Sequence, residues 1–258
     1  MAQFQKKRKS KLLKVLLGAG VFAAIAIASI CGVWANTADV QPRAAGDITV
    51  SGAGAGSYST LAEAYAAISS ATTGNVTITV NNNYTMTAAD NTAMTTSLAA
   101  LPEAVTVTHQ ATGTLTLPAA FTMPTGSKAS YVFSGNLAGA ATSFTVNGTK
   151  VTLQPTNAPT LGLVDMSVDG STFIIEGNMT LDQVRHWGET TTQFTVQKDV
   201  KLELTNLFIG NATATSKHSV DIYGTLVQGG KHPNADRRNL GINDLNLHPY
   251  SNTTMGYT

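Results

Sequence analysis

Between residues 75 and 230, apolar and polar side chains alternate over much of the chain with a period of two. Four stretches of that pattern overlay one another: 144–153 (FTVNGTKVTL), 173–181 (FIIEGNMTL), 194–204 (FTVQKDVKLEL) and 220–227 (VDIYGTLV). Each reads apolar-x-apolar, then a short polar or Gly-containing corner, then a second alternating stretch. A period of two marks strands with one buried face, and its recurrence along a chain marks stacked coils. The inward positions on this reading are Val80, Val107, Val146, Ile175, Val196 and Ile222, separated by 27, 39, 29, 21 and 26 residues. One turn of a three-sided β-solenoid takes roughly 20 to 30 residues. The wide gap of 39 therefore predicts an inserted loop or an additional turn.

The fold class this predicts is all-β, a right-handed parallel β-helix with an N-terminal capping helix over 60–70. A β-sandwich is the alternative, because Asn147-Gly148, Glu176-Gly177 and Tyr223-Gly224 are also hairpin-type dipeptides. Phe opens three of the four overlaid stretches, and Phe stacked at equivalent positions would form an internal aromatic column. The helix is signalled by Thr60 and Glu63, a capping-box pair. Leu61, Ala64, Tyr65 and Ile68 then fall on one helical face. The first coil of a solenoid exposes apolar surface and unpaired strand edges, and a helix laid across it would cover both. Ahead of the helix come a short strand over 47–51 and the Gly-rich turn 52–56, which lacks the Gly-Lys-Ser/Thr of a phosphate loop. The Ala/Thr-rich stretch 88–100 reads as an insertion with some helical character.

Composition supports strands. The chain has 38 Thr, 12% charged residues and 7% aromatics, and Thr suits solvent-facing strand positions. The formal charge of +1 conceals a division. Lys6, Lys7, Arg8, Lys9, Lys11 and Lys14 lie in the first 35 residues, which hold no acid, so the remainder is net acidic. No basic patch is left there to bind nucleic acid. Val15–Trp34 is an uncharged apolar run behind the basic cluster, the arrangement of an export signal. Two forms fit residues 1–35: a signal peptide cleaved after Ala35, or an uncleaved anchor whose residues 15–34 span the membrane. The single Cys, Cys31, lies in that run, so an exported remainder carries no thiol or disulfide. The domains predicted are this leader, a lead-in linker over 36–50, a β-helix over 51–230, and an irregular tail or truncated continuation over 231–258.

The helix-then-rungs layout of 57–87, with the four rungs of 144–227, resembles the pectin-lyase-like right-handed β-helix of bacterial surface and adhesin-type proteins. The resemblance covers about 51–230 and implies one of two activities, polysaccharide cleavage or non-catalytic adhesion. Cleavage needs paired carboxylates, or an acid cluster with a basic residue. The candidates are Asp165 and Asp169, with Asp182 and Arg185 in the next stretch. Trp187 and Tyr223, with His186 nearby, are candidates for stacking on a sugar ring. No metal-ligand spacing and no cofactor motif is present. The Asn-x-Ser/Thr triplets at Asn75, Asn83, Asn147, Asn178, Asn211 and Asn252 are what a Thr-rich chain yields by chance. The function expected is that of an exported, non-catalytic surface solenoid, an adhesin or its N-terminal part, binding glycan or extracellular matrix. A polysaccharide lyase or hydrolase and a structural spacer are the alternatives.

Overall fold

The stretch Val76–Val80 (VTITV) buries every second residue, and that alternation repeats around the molecule as the chain winds. The computed structural model describes residues 46–68, 72–187, 190–205, 208–211, 217–228, 244–249 and 251–255, all within the unit Arg43–Thr258. The leader (1–35) and most of the 36–50 linker lie outside the described residues. In chain order the elements begin with β1 (Ile48–Ser51), β2 (Gly56–Tyr58), helix α1 (Leu61–Ala67), β3 (Val76–Val80), β4 (Tyr84–Thr85) and helix α2 (Ala88–Ser97). Next come β5 (Thr106–Thr116), β6 (Ala120–Thr122), β7 (Ser130–Thr145), β8 (Lys150–Pro155), β9 (Thr160–Asp165) and β10 (Thr172–Ile175). The chain continues through β11 (Met179–Trp187), β12 (Thr191–Val196), β13 (Lys201–Leu204), β14 (Phe208–Asn211), β15 (Lys217–Ile222) and β16 (Thr225–Gln228). The last described strands are β17 (Asp244–Leu247) and β18 (Asn252–Met255).

These strands form a parallel β-solenoid with three faces. The first face stacks β3, the start of β5, the start of β7, β8, β10, β12, β15 and β17, each parallel to the next. The second carries β4, the middle of β5 and β7, the start of β9 and β11, then β13, β16 and β18. The third carries β6, the end of β7, the ends of β9 and β11, and β14. Long strands such as β7 bend across corners, which is why one strand pairs on several faces. Parallel pairing throughout the coils excludes the β-sandwich alternative.

Register settles which residues share a column. Ile78, His109, Phe133, Leu153, Ile175, Val196 and Ile222 stack along the first face. The last three were expected to be equivalent, and they are. Val80 sits two positions along, paired with Ala111. Val107 pairs with Val76 in the neighbouring column. Val146 lies at the corner after β7, and Leu153 takes its expected place. The gap after Val107 holds an additional turn, the one that begins with Tyr131 and Phe133.

The aromatic column is shorter than the overlay suggested. Phe173 and Phe194 are register partners with nearly parallel rings 6.0 Å apart. Phe144 belongs to the third face, in a column with Phe121 and Val164. It meets Phe173 edge to face across the interior at 5.5 Å. Together with Phe121 and Phe133 it makes an aromatic cluster, all of it fully buried. The overlay misassigned Phe144 because a bent strand changes face without breaking its alternation.

Corners resolve two other sequence features. At Gly177 a Cβ would stand 2.2 Å from the Pro155 carbonyl oxygen, and at Gly224 2.3 Å from that of Gln197. These glycines mark close approach of successive coils, where the sandwich alternative put hairpin turns. The sequon asparagines also have a structural use. Asn75, Asn83 and Asn178 accept backbone N–H bonds from Thr106, Thr114 and Lys201 in the following coil, at 3.1, 2.8 and 2.7 Å. Asn147 donates to the Met123 carbonyl at 2.9 Å. Asn157 and Asn91, which are not sequons, each engage both the N–H and the C=O of one residue, Leu137 and Thr122 respectively. Their amides thus stand in for a strand where the parallel pairing is interrupted. The side chains of Asn211 and Asn252 lie outside the described residues.

The entry to the solenoid is built around one carboxylate. Thr60 and Glu63 form the expected capping box on α1, which buries Leu61, Ala64 and Tyr65. The open edge of β3 is taken by β1, antiparallel, with β2 beside it, so an antiparallel strand covers the edge that the helix was expected to cover. Helix α2 opens with a second capping box, Thr87 and Asp90. Asp90, itself buried, also accepts from the Ala62 N–H of α1 at 3.0 Å and from the Tyr84 hydroxyl at 3.1 Å. The Tyr84 oxygen in turn accepts from the Leu61 N–H at 3.0 Å. One acid therefore serves the positive ends of both helices. Tyr65 reaches into the coil, where its hydroxyl lies 2.9 Å from Nε2 of His109. His109 is fully buried and stacks on Phe133 at 4.4 Å. Burial lowers its pKa to about 4, opposed by the Val132 backbone.

Strands of the solenoid recur past residue 230, where an irregular tail or a truncated continuation was expected. Leu245 and Leu247 continue the register of Val220 and Ile222, and β18 pairs with β16. Four alternating residues in an Asn- and His-rich stretch are too few to stand out as a strand until a partner fixes their register.

Two substitutions test this packing. Phe173→Ala should cost about 3–5 kcal/mol, through lost transfer energy and a cavity between two faces. Asp90→Ala should cost about 2–3 kcal/mol, because it removes a cap and strips donors on both helices of a charged partner. Chemical denaturation reads both values. For Asp90→Ala, early loss of exchange protection should be concentrated in α1 and α2.

Candidate functional site

The candidate catalytic residues come from three successive stretches, and register fixes how they meet. Asp165 ends β9 and pairs with Arg185 on β11, and the two side chains form an ion pair. Asp165 also accepts the Ser167 N–H at 3.0 Å. Burial pushes the Asp165 carboxyl up, but Arg185 and Ser167 outweigh it and hold the group below its usual range. Asp169 sits in the exposed corner beyond β9 and accepts the Thr191 N–H at 2.7 Å. Asp182 accepts the Thr205 hydroxyl at 2.6 Å. It stands three strand positions before Arg185, about 10 Å along the strand.

Register therefore does not gather Asp165, Asp169 and Asp182 into one cluster. Asp165 and Arg185 are brought together as an ion pair, and Asp169 and Asp182 each bind the backbone or hydroxyl of the following coil. A glycosidase needs a protonated and an ionised carboxyl flanking one bond, and these groups do not supply that pair. Among the described residues, no group of three His, Cys, Asp or Glu stands together to hold a metal ion. No described helix is long and apolar enough to cross a membrane, and the run 15–34 lies outside the described residues.

The aromatic candidates also part company. His186 points inward and is 4% exposed, so it cannot share an outer surface with a stacked sugar. Trp187 ends β11 beside Asn211 of β14; its side chain lies outside the described residues. Tyr223 is 38% exposed. It occupies the corner after β15, and His248 occupies the equivalent corner after β17. Their rings are parallel at 3.7 Å.

Beside this pair lies a polar node the sequence did not single out. Asp221 faces outward on β15, in register with Thr195 and Asn246. It accepts from Asn246 at 3.0 Å, Ser219 at 3.1 Å, Gln193 at 3.3 Å, and lies 3.3 Å from Nε2 of His248. Burial raises its pKa, but His248, Gln193, Asn246 and Ser219 together bring it below the ordinary carboxylate value. The node links β12, β15 and β17, three successive rungs of the first face. Asp221 is saturated as an acceptor, so its part is to position its neighbours. What remains on the surface is an aromatic platform flanked by the Gln193 and Asn246 amides, a combination suited to a neutral, hydroxyl-rich ring. The hint in the sequence was an Asp between Val220 and Ile222, visible as a cross-coil node only once register is known.

Asp221→Ala should loosen β17 by about 2 kcal/mol, given the worth of hydrogen bonds to a charged acceptor. Hydrogen exchange at 244–247 is the readout, and β7 and β8 should be unaffected. Because the Asp221 pKa is depressed in the fold, its contribution is present at neutral pH. It is lost as pH falls through the folded pKa.

Compared with protein-family models, curated proteins and solved structures, the chain matches none. The functional reading therefore rests on the solenoid and on the side chains it displays.

Proposed function

We propose that this chain is an exported, non-catalytic surface solenoid, an adhesin or the N-terminal part of one, and that it binds glycan through the Tyr223–His248 platform. The observation that carries the reading is the fate of the carboxylates. Asp165, Asp169, Asp182 and Asp221 are each committed to a partner in the fold, while Thr, Ser, Gln and Asn recur in the outward columns beside them. On the first face, for example, Thr172, Gln193 and Ser219 succeed one another. Such columns display donors and acceptors at the spacing of parallel strands, about 4.8 Å. A repeating polymer can meet that spacing with repeated contacts. The pectin-lyase-like resemblance fits the non-catalytic branch on this reading. Export through residues 1–35 places the solenoid outside the cell.

Glycan-array binding, paired with product-release assays on pectin and related polymers, tests the proposal on the exported chain. Binding without cleavage is expected, and Tyr223→Ala should weaken it about tenfold, or roughly 1.4 kcal/mol, consistent with loss of one aromatic stacking contact. Cleavage abolished by Asp165→Ala or Asp182→Ala would instead establish an enzyme. Absence of any binding would leave the spacer reading.

A further inference from the structure

The interior of the later coils holds a feature that display of a surface does not require. His186 on β11 and His218 on β15 meet inside the solenoid, 4% and 1% exposed, with ring centres 4.0 Å apart and planes at 70°. Thr192 Oγ1 lies 2.8 Å from Nδ1 of His218 and orients that ring. Nε2 of His186 is buried and has no hydrogen-bond partner among the described residues. Register places Gly210 opposite His186 in the next coil, so no side chain from that position covers the ring. A small cavity lies there, bordered by Met166, His186, Thr192, Phe194 and His218.

A shared metal ion does not account for the pair. Two imidazoles ligating one ion in plane at about 2.0–2.1 Å hold their ring centres roughly 5 Å apart. These rings are packed edge to face instead, with centres only 4.0 Å apart.

We propose that the His186–His218 contact is an acid-triggered latch, and that protonating it opens the coils from β11 onward while the earlier coils stay wound. A proton on either ring places a charge in a poorly solvated interior against a second imidazole. Among the described residues, the ionisable groups around the pair are few. Asp165 lies on the adjacent rung and favours the charged form, but it is already ion-paired to Arg185. Asp221 on β15 faces outward into its own set of donors. The other cavity-lining side chains named here, Met166, Thr192 and Phe194, do not titrate.

Burial first, and His218 second, lower His186 to about 4 from the ordinary 6.5, with Asp165 pulling the other way. The sign follows from linkage. The unfolded chain binds the proton more readily, so the latch is fully effective above the ordinary histidine value. It is lost as pH falls from there toward the folded value. The earlier coils differ. His109 is also held near 4, but it is a single ring with the Tyr65 oxygen beside Nε2 and the Phe133 ring stacked on it, not a second imidazole, and the Phe121–Phe133–Phe144 cluster packs close by.

Hydrogen exchange on the full chain, corrected for intrinsic rates and followed from about pH 7.5 to about pH 4, tests this. Peptides from 179–222 should lose protection first, by about tenfold or more across that range, with peptides from 130–155 following only at lower pH. His186→Leu and His218→Gln should each move the acid midpoint down by about one pH unit or more, and His109→Gln should leave it in place. Simultaneous loss of protection in both regions overturns the proposal. So does an unmoved midpoint in a His186→Leu or His218→Gln chain that is fully protected at neutral pH. If neither variant folds, the two regions of the wild-type chain still decide it.

Discussion

In-register parallel pairing is the constraint from which the rest of this molecule follows. Once each strand lies parallel on the one before it, every residue inherits the surroundings of its counterpart one coil earlier. An apolar residue at Phe173 calls for one at Phe194 and Val220. At the corners the stacked backbones come so close that Gly177 and Gly224 leave no room for a Cβ. Where a corner interrupts the pairing, buried backbone groups still need partners, and asparagine amides supply them. Asn91, standing on a helix, satisfies both polar groups of Thr122 as a strand would.

The same constraint makes polar residues in the interior costly and therefore informative. A histidine in an inward column cannot reach solvent by local adjustment, because the coils above and below hold its backbone. His109 is accommodated by the Tyr65 hydroxyl and the Phe133 ring. His186 and His218 are accommodated by each other and by Thr192. On the outer face the logic reverses. Asp221 gathers donors from the rungs on either side and so ties successive coils together through side chains as well as backbone.

Much of the architecture was legible in the sequence because alternation and corner recurrence are local signals. Ile175, Val196 and Ile222 were placed in one column from spacing alone, and Thr60 with Glu63 announced α1. What escaped was non-local. Phe144 kept its alternation while its strand turned onto another face, so a linear overlay matched it to the wrong partners. Leu245 and Leu247 form too short a pattern to be recognised without the strand they join. The candidate site was less legible still. Asp165 and Arg185 are twenty residues apart in the chain, and only register reveals them as an ion pair. His186, grouped with Trp187 as a surface residue, points inward because β11 alternates on the third face. Asp221 carries no local signal and stands out only once its neighbours on β12 and β17 are in place.

Function, on this account, belongs to the outer columns and the Tyr223–His248 platform, and the interior exists to hold them in register. That claim stands or falls with the parallel stacking. Double-cysteine oxidation tests it most directly, since the chain's one native thiol, Cys31, can be replaced by serine. Gln154 and Glu176 are neighbours on successive rungs, joined by a hydrogen bond of 2.6 Å. Ser219 on β15 and Gln228 on β16 lie on different faces and would face each other only if Tyr223-Gly224 were a hairpin turn. Parallel stacking predicts rapid disulfide formation between cysteines at 154 and 176 and none between cysteines at 219 and 228. The opposite pattern would contradict it.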